Sequence, residues 1–155
     1  MKKLFKILVI EDSEEDFLLL KKAMEYIEDI ELEIVCMKNG QLGLDYIFKV
    51  GEYSEMKTPD VIILDLNLPV KNGFEVLKTI KEDSLYRLIP IIIYSTSDES
   101  GDICASYFLY ANSYLTKTFD IIELFEKIKC FGEYWAKSVE IADNNNHCLI
   151  NEGKK

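Results

Sequence analysis

Two runs, VIILD at 61–65 and IIIYS at 91–95, are apolar almost to their last residue. A strand that buries one face alternates apolar with polar residues. A strand without alternation is covered on both faces, as in parallel sheets sandwiched between helices. Three further runs have strand character: LFKILVI (4–10), ELEIVCM (31–37) and SYLT (113–116). Helical patterns fall between them. Phe17, Leu20, Met24 and Ile27 recur at steps of three and four and share one face. Further patterns cover 42–50, 74–81 and 102–110, and the last begins near Asp120 and carries Leu124, Phe125, Ile128 and Trp135. Five strands alternating with five helices predict an α/β domain with a parallel sheet, and right-handed crossovers place helices on both of its faces.

The 155 residues, 48% hydrophobic with seven Gly and three Pro, suffice for one well-buried core. The connection GEYSEMKTP (51–59) is long for such a unit and reads as a surface loop. From residue 138 periodicity is lost and Asn accumulates, so a single domain over 1–137 is expected, followed by a mobile tail at 138–155 without an output domain. The opening MKKLFKILVI imitates a secretory signal, but Lys6 interrupts it, and it runs into acids without a small-residue cleavage site. No segment approaches the length of a membrane span, and a cytoplasmic location is expected. A net charge of −10, with no basic run longer than two, argues against nucleic-acid binding, which Lys and Arg drive. Cys36, Cys104, Cys130 and Cys148 show no CxxC pairing and read as free buried thiols rather than disulfides or a zinc site.

In an open parallel sheet the carboxyl ends of all strands lie along one edge, where ligands bind. The first strand ends in Glu11 and Asp12, and the third in Asp65 followed by Asn67. The fourth ends in Ser95 and Thr96, and Lys117 follows the fifth. Carboxylates brought this close repel one another unless a counter-charge is present. Mg2+ suits them, since it takes oxygen ligands and keeps positions for water and phosphate oxygens. Asp12, Asp65 and the main-chain carbonyl of Asn67 are its candidate ligands. The Ser95 hydroxyl and the Lys117 ammonium are candidates for other phosphoryl oxygens. Such a constellation suits phosphoryl transfer onto a carboxylate, which proceeds mainly by positioning and electrostatics.

The motifs VIEDS (9–13), ILDLNLPVKNG (64–73), PIIIYSTS (90–97) and SYLTKTF (113–119) carry a resemblance to the receiver domain of two-component response regulators over about residues 4 to 135. Ser95 lies thirty residues after Asp65 and Lys117 twenty-two after Ser95, which is similar to receiver spacing. The resemblance implies a flavodoxin-like receiver, a doubly wound five-stranded parallel sheet of order 2-1-3-4-5 with five helices. It implies that Asp65 accepts a phosphoryl group from a histidine kinase. Asp12 then binds Mg2+ directly, with Glu11 acting through water and Asn67 through its carbonyl. Ser95 and Lys117 meet the phosphoryl group, and Tyr114 occupies the position of a switch aromatic. The chain is thereby a phosphoacceptor that gains and loses its own phosphoryl group, not an enzyme for an outside substrate. Its rate of loss is expected to depend on Asn67 and Ser97. The output surface is the fourth helix, fifth strand and fifth helix, addressed to a downstream protein.

The long loop before the third strand, DLNLPVKNG and the aromatic GEYW (132–135) resemble single-domain regulators that partner bacterial phytochromes. So does the residue after Lys117. Most receivers carry a cis proline there, whereas this chain has Thr118; a cis bond without proline costs about 3 kcal/mol, so this loop is trans or strained. Helix four, SGDICASYFLYAN, is rich in aromatics for a surface helix. With Phe131, Tyr134 and Trp135 it is either core or an interface, and a homodimer through this face is expected.

Each residue also has a plainer reading. Glu11 and Asp12 favour a helix start through the helix dipole, and Ser13 with Asp16 reads as a capping pair. Asn67 is a turn former, and Tyr114 is packing. His147, the one histidine, has no partner in sequence and reads as inert. Two other functions are weaker. An aspartyl-phosphate phosphatase places a second Asp two residues after the nucleophile as general acid, where this chain has Asn67. A flavin module needs a neutral phosphate loop after the first strand, and EDSEED repels phosphate.

Overall fold

The computed structural model describes residues 4–144. Its parallel strands are β1 (Leu4–Ile10), β2 (Glu31–Met37), β3 (Val61–Leu64), β4 (Ile91–Ser95) and β5 (Ser113–Thr116), arranged in the order β2-β1-β3-β4-β5. The helices are α1 (Glu14–Met24), α2 (Gly40–Ile47), α3 (Gly73–Glu82), α4 (Ser100–Phe108) and α5 (Ile121–Gly132). β3 and β4 are buried at every residue, as their unbroken apolar sequence predicts. The chain winds from β1 outward to β2, then returns to β3 on the other side of β1. That reversal opens a crevice at the carboxyl ends of β1 and β3.

Side chains alternate across the sheet and build two core layers. Leu8, Ile10, Ile62, Leu64, Ile91 and Ile93 share one layer with α2 and α3. Ile7, Val9, Val61, Ile63, Ile92 and Tyr94 share the other with α1 and α5. Lys6, the charge inside β1, is accommodated by an ion pair across the sheet, its Nζ 2.8 Å from Glu33 Oε1. Burial alone pulls that ammonium down, but Glu33 and Tyr46 together outweigh it and leave the group above its ordinary range.

Local chemistry sets the helix ends. Ser13 caps α1 by accepting from the Asp16 N–H, and Glu14, Glu15 and Asp16 place negative charge at the positive end of the helix. Asn72 and Glu75 form a reciprocal capping box at α3. α2 begins two residues before its apolar pattern because Asn39 accepts from the Leu42 N–H. It stops short of Val50, where Lys49 takes a positive φ of 62°. α4 also starts and ends two residues early, and Ser106 is its one fully buried residue, so its aromatics are not core. The 51–59 connection includes a single 3-10 turn, Gly51–Tyr53.

α5 passes into a π-helical turn, Glu133–Ser138, from which Trp135 packs against the α1/α5 layer. Beyond it, Ile141 packs against the same layer and Asn144 is buried. The remainder of the expected tail, with His147 and Cys148, lies outside the described residues. Cys36, Cys104 and Cys130 are free thiols, but they are not buried as expected: Cys36 is half-buried, and the other two are exposed on helix surfaces. No helix among the described residues is long and apolar enough to cross a membrane.

Candidate functional site

The alternation that builds the core layers also aims the residues at the strand ends. Glu11 follows Val9 by two residues, Asp65 follows Ile63, and Lys117 follows Leu115, so all three emerge on the α1/α5 side. There they meet. Lys117 Nζ lies 2.6 Å from Glu11 Oε2, 2.7 Å from Asp16 Oδ2 and 3.1 Å from Asp65 Oδ2. The Tyr94 ring, from the same layer, has its centroid 5.4 Å from Nζ. Glu11 and Asp65 are almost wholly buried. Asp12 is exposed, yet oxygens of Glu11, Asp12 and Asp65 lie within 4.8 Å of one another.

One ammonium faces three carboxylates, and the titration of the group reflects it. Burial, reinforced by the charge of Asp65, pushes the Glu11 carboxyl up to about 7 against the opposing pull of Lys117. Burial alone lowers Lys117, but Asp16, Glu11 and Asp65 outweigh it and hold the ammonium above the usual lysine range. Burial pushes the Tyr94 phenol up to about 12, so its ring stays neutral. The cluster of Glu11, Asp12 and Asp65 offers only hard oxygen donors with excess negative charge, which fits a divalent cation.

Of the other predicted residues, Asn67 stands in the loop after β3 beside Asp65, while Ser95 and Tyr114 lie on the other face of the sheet. Asn67 is exposed, and its main-chain N–H donates to Asp65 Oδ1 at 3.2 Å. Ser95 is fully buried at the end of β4, and its Oγ accepts from the Ser97 N–H at 3.3 Å. Thr96 is exposed, so the buried hydroxyl of this pair is Ser95. Ser95 continues the alternation of Ile91 and Ile93, which places it on the α2/α3 side together with Tyr114. The half-buried Tyr114 donates its hydroxyl to the Ser97 carbonyl at 2.8 Å. Ser97 in turn donates to Asp102 Oδ2 at 2.6 Å, which links the loop after β4 to α4.

The Lys117–Thr118 peptide is trans, since the described residues contain no cis bond. Lys117 is held by its own N–H, which donates to the Ser95 carbonyl at 2.7 Å. Thr118 donates its hydroxyl to Glu123 Oε2 at 2.9 Å, within the first turn of α5.

Two residues of the site escaped the sequence reading. Asp16 does pair its N–H with Ser13, as a capping residue should, but its carboxylate goes to Lys117. Tyr94 sits inside an apolar run and reads as core. Its parity with Ile92, one step out of phase with Ser95, is the signal that it flanks Asp65 and Lys117.

A parallel sheet of order 2-1-3-4-5, with clustered acids and a lysine at its carboxyl edge, is the architecture of a response regulator receiver. A family model for the response regulator receiver domain matches residues 7–129, and the chain belongs to that family. Response regulator Rcp1 of Synechocystis is 34% identical over 135 residues, covering 87% of this chain and 91% of Rcp1. The crystal structure of the phosphorylated cyanobacterial phytochrome response regulator RcpA matches with a TM-score of 0.85 at 36% identity, over 90% of this chain and 99% of RcpA. The Mn2+-bound form of Rcp1 matches with a TM-score of 0.84 at 33% identity, over 89% of this chain and 99% of that one.

Proposed function

We propose that this receiver takes a phosphoryl group from a histidine kinase, a phytochrome by analogy with RcpA, onto Asp65 and signals by altering a protein-binding surface. The observation that carries this reading is the convergence of Glu11, Asp65 and Lys117 from three strands, with Nζ within 3.1 Å of both carboxylates. An Asp65 oxygen attacks phosphorus as the bond from phosphorus to the histidine nitrogen breaks. The electron pair stays on the imidazole. Lys117 and the Ser95 hydroxyl, both buried, receive phosphoryl oxygens as donors. Asp12 and Asp65, with the Asn67 carbonyl, are the residues that would hold Mg2+, and Glu11 would act through water. Bound there, Mg2+ supplies positive charge against the clustered carboxylates and the incoming phosphoryl oxygens.

Drawing Ser95 toward the phosphoryl group disturbs the loop that Tyr114 and Ser97 tie to α4. That gives Tyr114 its switch role and makes α4, β5 and α5 the output face, open to a downstream protein or a second copy of the chain. Tyr107, Phe108 and Tyr110 are exposed there. Incubation with acetyl phosphate and Mg2+ tests the reading by intact mass. A gain of one phosphoryl group that vanishes in Asp65→Asn supports it, and an unchanged mass in the native sequence defeats it.

A further inference from the structure

Resting on the phosphoacceptor reading, we infer that Asp16 is a positioning residue for Lys117, holding its ammonium beside Asp65 when Glu11 turns to a divalent cation. A lysine ammonium has three N–H donors and no acceptor. Here each donor has a carboxylate of its own: Glu11 at 2.6 Å, Asp16 at 2.7 Å and Asp65 at 3.1 Å. Glu11 and Asp65 also belong to the acidic cluster with Asp12. An oxygen engaged with a cation is a poorer acceptor for the ammonium, and a phosphoryl group on Asp65 changes that contact as well. Asp16 stands outside the cluster, so its charge stays available to Lys117 throughout.

Its placement is secured independently of the cluster. The Asp16 N–H donates to Ser13 Oγ at 3.2 Å, which fixes its backbone in the first turn of α1. Its side chain is 37% exposed against 8% for Lys117, so Asp16 stands between the ammonium and water. The Tyr94 ring flanks the ammonium on another side. Removing the Asp16 carboxylate opens the side toward solvent and leaves the lysine free to swing away from Asp65.

Asp16→Ala is suited to the test, because the cap uses the backbone N–H and alanine is a good helix residue. With acetyl phosphate as donor, its maximal phosphorylation rate is expected to fall about tenfold, the scale of one charge-assisted hydrogen bond. The half-saturating Mg2+ concentration should stay within about twofold, as expected of a group outside the metal cluster. Asp16→Glu, which keeps the charge, should recover much of the rate. A readout independent of turnover is the nitrogen-15 resonance of the Lys117 ammonium in metal-free protein. It should be slowly exchanging in the native sequence and lost to exchange in Asp16→Ala. An unchanged maximal rate, a defect confined to the Mg2+ requirement, or a retained ammonium resonance overturns the inference. Absence of phosphorylation in the native sequence would instead sink the phosphoacceptor reading and this inference together.

Discussion

Glu11 pairs with the Lys117 ammonium at 2.6 Å and also belongs to the acidic cluster with Asp12 and Asp65. Burial raises its carboxyl from 4.5 to about 7, so between those values the folded chain holds a proton that the unfolded chain has lost. The contribution of this group to stability therefore falls as pH rises through that window. On the proposed reading Glu11 meets a divalent ion through water, and a protonated Glu11 would offer that ion no charge, so Mg2+ and protons should oppose each other here. The rise in melting temperature on adding Mg2+ should be larger at pH 8 than at pH 6; equal increments at the two pH values would contradict the assignment. Asp65, Glu11, Asp12 and Lys117 were legible in sequence because polar residues stand out at the ends of apolar strands. Asp16 was not, because Ser13 already gave it a complete local explanation. Tyr94 was not, because an aromatic within a buried strand is fully explained by packing.

At the level of elements, the buried strands were the easiest to read, since unbroken apolar runs leave little choice of environment. Helix ends were harder. Asn39 caps α2 ahead of any apolar residue, α4 starts at Ser100 without a side-chain cap, and hydrophobic periodicity is silent about both starts. The junction of β3 with α3 shows how closely an element can constrain the site. Gly73 donates its N–H to the Leu66 carbonyl at 2.9 Å, and a Cβ on Gly73 would collide with the main chain of Asp65 and Leu66. Gly73→Ala must therefore displace either α3 or the loop that carries Asp65. It should cost about 1–3 kcal/mol in urea unfolding and slow acceptance of the phosphoryl group. A variant with unchanged stability and rate would show that this junction is slack.

For the molecule as a whole, charge and apolar surface act in opposite directions. A net charge of −10 makes copies repel, whereas α4 presents Phe108 at 83% exposure beside Tyr107 and Tyr110. Association through this face should strengthen as salt screens the repulsion, the reverse of an interface held by ion pairs. Phe108→Glu should give a monomer by light scattering at all salt concentrations, with or without phosphorylation. A dimer that survives the substitution would move the interface elsewhere. The sequence showed the excess of aromatics in this helix, but which of them are exposed depends on how α4 lies against β5, a relation that local patterns do not carry.

Trp135, the one tryptophan, lies in the turn beyond α5, about 20 Å from the N-terminal end of that helix, which follows the Lys117 loop, at roughly 1.5 Å per residue. Its emission is therefore a gauge of whether the α1/α5 layer is intact and is poorly placed to witness the chemistry proposed at Asp65. Spectroscopic work on this chain calls for a probe installed in the loop after β4, with the native indole kept as an internal control for unfolding.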